Sequence, residues 1–293
     1  MAGNTILEFY RFTLENKVKE QQVLNFYNEE EDLLDTLNDF CKYIFDNVKK
    51  YTDNQGKYRT FTLASLPKIE RENRILYGFL DSAYTGEYGK IKDARTNGVK
   101  YDLTKKDLFS KDFFFLIYVP KGSKYGYLVI QRKENHGVKT IIQTSFNWFM
   151  RSKGVTNYFL ELRQAPLRYF MNNFFNSGIL KEYKLIKNTD NGREEKIFKL
   201  NNKCIQKSDL KKNLVSLFNS KNQEARVQFL GNELYDEISF IINLNGSTKT
   251  FYIKNKDKIR SNINVSHLIE FEDGEPTIQS LVRISLEIIQ IAA

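Results

Sequence analysis

Apolar residues recur at helical spacing over residues 29–51, the longest regular pattern in the chain. Side chains that repeat every three or four positions share one helix face, which this segment would bury. Its start is acidic and its end carries Lys49 and Lys50, an order that the helix macrodipole favours. Proline in a first turn, or a capping serine, predicts three further helices, which begin at Pro166, Ser208 and Pro276.

Between the helices the chain changes to short β-favouring runs punctuated by Gly, Asn and Asp. Residues 113–119 (FFFLIYV) are apolar on both faces and predict a central strand; residues 125–131 (YGYLVIQ) follow after a connection of hairpin length. Asn97-Gly98 and Asn245-Gly246 each predict a tight turn. Further strands are predicted over residues 5–14, 59–66, 74–84, 88–92, 99–103, 137–144, 157–164, 180–187, 196–200 and 238–244, and around His267.

This order of elements predicts an α+β fold. We expect a largely antiparallel sheet meander with the N-terminal helix packed on it, followed by a second, smaller α+β lobe. A chain of 293 residues is at the upper edge of one domain, since single cores stop growing near roughly 250 to 300 residues. The predicted domains are residues 1–154 and 155–293, with one continuous domain as the alternative, because no linker composition marks the boundary.

Composition excludes several classes of protein. The chain is 41% hydrophobic with 23 Phe and 17 Tyr, too apolar for a disordered protein. Two Cys and two His cannot complete a Cys/His zinc site, and Cys41, on the apolar helix face, predicts a buried, inert thiol. No run of 18 apolar residues and no secretory leader pattern occurs, so we expect a cytoplasmic protein with no membrane contact.

The net charge of +9 is unevenly distributed. Residues 1–55 carry −5, residues 56–154 carry +10, residues 155–222 carry +7 and residues 223–293 carry −3. A Lys-rich coding bias would spread charge evenly, whereas a binding face concentrates it. The segregation therefore predicts that the middle of the chain contacts DNA or RNA through backbone phosphates, with solvated surface as the alternative.

The residues predicted to bind nucleic acid fall into three groups. One group marks the turn of the 113–131 hairpin, a second marks its open end and the residues that follow it, and a third opens the helix at Ser208. The ends of the hairpin are roughly 20 Å apart at the usual strand rise, so these cations would follow a backbone along the sheet. The set is Lys121, Lys124, Arg132, Lys133, Lys139, Arg151, Lys153, Lys207, Lys211 and Lys212.

Catalytic motifs for nucleotide, dinucleotide, serine-hydrolase, zinc-protease and kinase chemistry are missing from the sequence. One arrangement resembles the site of PD-(D/E)xK nucleases, where an Asp at one strand start meets a (D/E/Q)xK pair on the next strand. Carboxylates there hold Mg²⁺ and the Lys steadies the phosphate. Asp112 and Gln131-x-Lys133 fit this pattern, because antiparallel pairing brings the start of one strand beside the end of the next.

The match departs from the nuclease pattern at three points. Asp112 lacks the preceding Pro, Gln131 replaces an acidic residue, and residues 137–144 predict a strand where that fold needs a helix. Polar ends of a core hairpin are the alternative interpretation, and Mg²⁺ is expected only if the nuclease hypothesis holds. A third hypothesis is a protein-interaction subunit or homo-oligomer. Basic, Lys-rich bacterial proteins often belong to mobile elements or antiviral defence systems, which sets the expected context.

Overall fold

The computed structural model describes residues 4–292 except 53–55, 57, 134–136, 166–167, 191, 201–206, 221–226, 230–232 and 245–246. Its helices and antiparallel sheets confirm the predicted α+β fold. No helix in these ranges is long and apolar enough to cross a membrane.

The chain divides into two compact units. The first contains residues 1–165 and 262–286, and the second contains residues 166–261 and 287–293. The division falls after residue 165 instead of residue 154 because β10 (Tyr158–Gln164) pairs along β1 (Ile6–Asn16) in the first sheet. Residues 262–264 also pair with β1, which returns a late segment of the chain to the first unit.

The other strands of the first unit follow in chain order. They are β2 (Lys49–Thr52), β3 (Tyr58–Leu63), β4 (Lys68–Glu70), β5 (Ile75–Tyr84), β6 (Gly89–Lys92), β7 (Val99–Leu103), β8 (Phe109–Tyr118), β9 (Gly126–Arg132), β17 (Asn262–Asn264), β18 (Phe271–Glu272) and β19 (Glu275–Pro276). The main sheet has the order β10-β1-β9-β8-β5-β3-β2, with β17 on β1 and β4 on β5. The pairs β6–β7 and β18–β19 are separate two-stranded ribbons.

Two helices, α1 (Leu33–Asp46) and α2 (Lys139–Ser152), cover one face of this sheet. Phe40 of α1 packs edge-on against Phe146 of α2, with ring centroids 5.4 Å apart. Beneath them lie alternate strand residues such as Phe113, Phe115 and Leu128, all buried. This is the helix-on-sheet core that the apolar pattern of residues 29–51 predicted. Cys41 is buried in it, and burial raises the pKa of its thiol to about 12.

The first helix is shorter than predicted at both ends. Asp32 is its N-cap, and the carboxylate accepts the N–H of Leu34 at 2.9 Å. Asn28 and Glu29 have positive φ angles, so they cannot begin a right-handed helix. Lys49 and Lys50 lie in β2, where pairing with β3 replaces the last predicted helical turn.

The predicted strand over residues 137–144 is wrong. Helix α2 begins at Lys139, because Ile142, Phe146 and Phe149 form an apolar stripe at helical spacing that packs against α1 and the sheet. The β-branched residues in KTIIQT favour a strand locally, and burial of this stripe overrides that preference. A helix therefore does follow β9.

Three smaller predictions need correction. Ser208 lies inside α4 (Lys207–Asn219), one residue after its start, so it does not precede the helix as a cap. Pro276 ends β19, and α5 (Ile278–Ala292) begins two residues later, after Thr277, whose hydroxyl accepts the N–H of Ser280 at 3.4 Å. His267 lies in a turn and not in a strand.

The second unit contains a four-stranded sheet with the order β12-β11-β15-β16. Its elements are α3 (Arg168–Ser177), β11 (Ile179–Thr189), β12 (Gly192–Lys199), α4, β13 (Val227–Gln228), β14 (Leu234–Tyr235), β15 (Glu237–Leu244) and β16 (Ser247–Tyr252). The hairpin predicted around Asn245-Gly246 is confirmed, since Leu244 pairs with Ser247, although the two turn residues lie outside the described ranges. The β11–β12 loop is shorter than predicted because pairing continues to Thr189 and Gly192.

A lysine is buried in the core of this second unit. Lys249 of β16 is 6% exposed, and its ammonium lies 6.0 Å from the centre of the Phe174 ring. Burial lowers the pKa of this amine to about 7, because a charge is costly away from water. The unfolded chain holds the proton of Lys249 more readily than the folded chain does. Lys249 therefore lowers the free energy of unfolding at every pH at which the unfolded chain is protonated at this amine.

We expect Lys249→Met to change how stability depends on pH. Between pH 7 and about 10.4 the unfolded chain binds a proton that folded Lys249 releases, so the parent gains stability as pH rises. The variant lacks this gain, and its advantage over the parent shrinks by a few kcal/mol across that window. Chemical denaturation of both proteins at intervals from pH 7 to pH 10 measures it. A constant difference would contradict the assignment.

Candidate functional site

The two central strands of the first unit, β8 and β9, separate at one end. Their described pairing ends at Phe115 and Ile130. Beyond that point β8 continues along β5, and β9 continues along β1. The Oε1 atom of Gln131 accepts the N–H of Phe114 at 3.3 Å, so a side chain replaces a ladder bond. The sheet opens into a wedge without leaving that buried donor unpaired.

A cleft of about 1070 Å³ occupies this wedge. The β18–β19 hairpin and the start of α5 supply part of its wall. The ends of β8 and β9 and the residue after β9 contribute Ser110, Lys111, Asp112, Gln131, Arg132 and Lys133 to its lining, and β19 adds the carboxylate of Glu275. The three residues predicted as a catalytic set therefore lie in one cleft, whereas the catalytic role itself stays a prediction.

A second carboxylate stands beside Asp112. Asp81 is its cross-strand neighbour on β5, and the hydroxyl of Ser110 donates to Asp81 at 2.7 Å. Strand alternation places both carboxylates and Gln131 on the face opposite α1 and α2. Partial burial and the charge of Asp81 raise the pKa of Asp112, and Lys133 lowers it. Asp81 and Asp112 are two like charges next to the Lys133 ammonium, and a bound cation would offset the repulsion between them.

Sequence reasoning missed Asp81, although a signal was present. The predicted strand over residues 74–84 reads RILYGFLDSAY, in which Asp81 interrupts an otherwise apolar run. A charged residue inside such a strand needs a polar neighbour or a solvent-filled opening. Only the register between β5 and β8 shows that this neighbour is Asp112.

Arg132 and Lys139 belong to a polar cluster around Glu8. The Arg132 guanidinium lies 3.5 Å from the Glu8 carboxylate, which also accepts the hydroxyl of Tyr10 at 2.6 Å. Burial and Glu8 raise the pKa of Tyr10, which keeps its hydroxyl protonated. The Lys139 ammonium lies 5.5 Å from the centre of the Tyr10 ring. Glu8 therefore offsets part of the positive charge at this end of β9.

The other predicted binding residues are dispersed. Lys121 and Lys124 mark the opposite, turn end of β8 and β9. Arg151 in the last turn of α2 and Lys153 just after it lie over the Phe159 and Phe149 rings at 5.6 and 5.8 Å. Such stacking keeps the cations at the surface while holding their position.

The predicted cluster on α4 belongs to the second unit. Lys211 donates to the carbonyls of Gly178 and Asn176 at 2.8 and 3.3 Å, and burial lowers the pKa of its amine. It therefore satisfies backbone carbonyls at the C-terminal end of α3, a structural task. Lys212 pairs with Asp209 at 3.7 Å, and Lys207 lies in the first turn of α4.

The described ranges contain no group of three or more His, Cys, Asp or Glu side chains placed to hold a metal ion. Asp112 and the Gln131 carboxamide line the cleft, and Asp81 is the cross-strand neighbour of Asp112. Mg²⁺ in phosphoryl-transfer sites is commonly held by one or two carboxylates together with substrate phosphate and water. Asp81 and Asp112 therefore fit a cation that arrives with a phosphate, and they do not fit a closed, all-protein metal cage.

No protein-family model matches the chain, and no curated protein is significantly similar to it in sequence. The functional assignment consequently depends on the chemistry of the cleft.

We expect the pKa of Asp112 to move in opposite directions in two variants. Asp81→Asn removes a like charge and lowers it toward the ordinary aspartate value, whereas Lys133→Met removes an opposite charge and raises it. Carboxyl ¹³C titration of aspartate-labelled protein by NMR measures both shifts. Lys121→Met at the far end of the hairpin is the control and should leave the Asp112 titration unchanged. Shifts of the same sign in the first two variants would contradict this description of the site.

Proposed function

We propose that the protein binds nucleic acid through the phosphate backbone at the cleft between β8 and β9. The observation that carries the proposal is that Lys111, Arg132 and Lys133 line one opening at the centre of the sheet. Phosphate contacts of this kind position a polynucleotide without reading its sequence. The proposal is supported by the concentration of positive charge in residues 56–154.

Binding at this site is expected to weaken as salt increases, because each neutralised phosphate releases counterions. We expect Lys111→Ala and Lys133→Ala each to reduce the slope of log affinity against log salt by about 1. Fluorescence anisotropy with labelled DNA and RNA oligonucleotides across a salt series measures the slope. Lys42→Ala, which removes an exposed charge on α1, is the matched control and should retain the parent slope. Salt-independent binding by the parent would exclude the proposal.

A second candidate function is Mg²⁺-dependent cleavage of the bound strand. The convergence of Asp112, Gln131 and Lys133, with Asp81 beside them, favours it. Helix α2 after β9 supports it further, since such a nuclease core needs a helix there. Two carboxylates would repel a phosphate diester unless a cation lay between them. The divalent ion would supply that charge and activate water.

The residues of the cleft would then have distinct tasks. Asp81 and Asp112 would hold the ion, and the Lys133 ammonium would steady the attacked phosphate. Gln131 has its carboxamide oxygen on the Phe114 N–H, so we assign it the positioning of the β9 end and not a direct part in the chemistry.

Cleavage assays with Mg²⁺ or Mn²⁺ test this second function. We expect Asp112→Asn and Lys133→Ala to lower the rate by at least about a hundredfold, the usual effect of losing one such group. Asp112→Asn should retain or improve binding, because it removes a negative charge near the phosphate. Asp39→Asn, an exposed carboxylate on α1, is the control. Unchanged cleavage in both cleft variants would show that any nuclease activity lies elsewhere.

A further inference from the structure

Between β5 and β8 the chain leaves the main sheet as a two-stranded ribbon, residues 85–108, which we call the arm. Its strands β6 and β7 pair with each other and form a sheet of their own. All four residues of β6 are exposed, as are those of β7 apart from the half-buried Leu103. The arm begins just after the Tyr84–Phe109 pair of the main sheet. It therefore extends the β5–β8 pair past the end of the sheet.

The arm has an apolar face and a charged face. Ile91 lies opposite Tyr101, both about half exposed, and the half-buried Leu103 follows two positions along β7 on the same face. Val99 pairs with Lys92 beyond a register shift, so it lies on the face of that lysine. On the other face Lys90 pairs with Asp102 at 3.7 Å. Within the described ranges, nothing covers the apolar face enough to bury it. Apolar side chains held out on a ribbon in this way indicate a surface made for a partner.

The tip of the arm is preorganised. Asp93 accepts the N–H groups of Arg95 and Thr96 at 2.9 and 3.0 Å and pairs with Lys100 at 2.8 Å. Asn97 adopts a positive φ of 54°, which its position in the turn requires. These contacts fix the turn and hold Arg95 at the end of the ribbon.

The arm and the cleft form one continuous surface. Ser110, Lys111 and Asp112, which line the cleft, directly follow the arm in β8. The Lys111 ammonium lies 5.4 Å from the centre of the Phe109 ring, and Lys105 lies 5.4 Å from that of Tyr88. Cations and rings thus alternate from the cleft onto the arm, which suits a polyanion that passes both.

We propose that the arm binds in the major groove of double-stranded DNA whose backbone lies at the cleft; this rests on the proposed nucleic-acid binding. The major groove is about 12 Å wide and admits a two-stranded β-ribbon. The major groove of an RNA duplex is too narrow, and a single strand has no groove. The apolar face then contacts thymine methyl groups and sugars, while Arg95 and Lys106 at the tip and root contact phosphates.

Charge on the arm agrees with this partner. It carries six basic and four acidic side chains. Lys100 and Lys90 pair with Asp93 and Asp102, and Asp107 accepts hydrogen bonds from Thr104 within the arm. The arm keeps a net charge of +2, which suits an anionic ligand such as the DNA backbone.

Two variants test the arm. In one, residues 85–108 are replaced by Asn-Gly, the two-residue turn that closes a hairpin at the Tyr84–Phe109 pair. In the other, Ile91→Glu places a negative charge on the apolar face without altering the main sheet. Ile197→Glu is the matched control, because Ile197 is equally exposed on β12 of the second unit. Anisotropy is measured with duplex DNA, single-stranded DNA and duplex RNA of one sequence.

We expect both arm variants to lose about tenfold or more in affinity for duplex DNA, the effect of removing one good set of groove contacts. Affinity for single-stranded DNA should stay within about twofold of the parent, and Ile197→Glu should match the parent on every ligand. If the parent binds duplex DNA and both arm variants bind it equally well, the inference is wrong while the proposed function stands. An equal loss on single strands would exclude groove binding. A parent that binds none of the three ligands fails the proposed function itself.

Discussion

The first unit depends on the point where β8 and β9 separate. There the Gln131 carboxamide takes the Phe114 N–H, so that β8 can follow β5 while β9 follows β1. A central sheet that splits without this bond would leave a buried donor unpaired, at a cost of about 1 to 3 kcal/mol. The cleft, the Asp81–Asp112 pair and the root of the arm all lie at the same end of these strands. The hydrogen bond between the Gln131 side chain and Phe114 thus lies at the same end of the sheet as every feature on which the functional proposal is based.

Charge acts locally in this protein. The predicted set of ten basic residues includes some that serve the fold, such as Lys211 on the carbonyls at the end of α3, and some that are balanced by a neighbour, such as Arg132 beside Glu8. Lys111 and Lys133 line the cleft together with Asp112, and Asp81 is the cross-strand neighbour of Asp112. An anion and a divalent cation could occupy such a site together, whereas neither suits it well alone. This combination of opposite charges restricts the possible ligands more than the net charge of +9 does.

The sequence predicted the parts of the site that depend on strand order. An apolar hairpin with Asp112 at its start and Gln131-x-Lys133 at its end must bring those residues together if it pairs antiparallel, and it does. The errors have local causes. Residues 137–144 are rich in β-branched side chains, and Pro276 stands near a helix start, so short-range preference suggested the wrong element or boundary. Asp81 was missed because its role depends on a register across 31 positions of chain.

The sequence by itself determined the α+β class, the central hairpin, the hairpin around residues 245–246 and the N-terminal helix, because apolar period and turn chemistry act over a few residues. Tertiary structure alone decided which strands became neighbours. Segments far apart along the chain, β1, β9, β10 and β17, meet in one sheet, and this pairing sets where the β8–β9 ladder ends. The β8–β9 ladder ends where other strands take over the backbone donors of β8 and β9. A local sequence pattern does not show which strands will do so. The cleft is therefore a property of the assembled sheet, built from residues that the sequence had already placed at the strand ends.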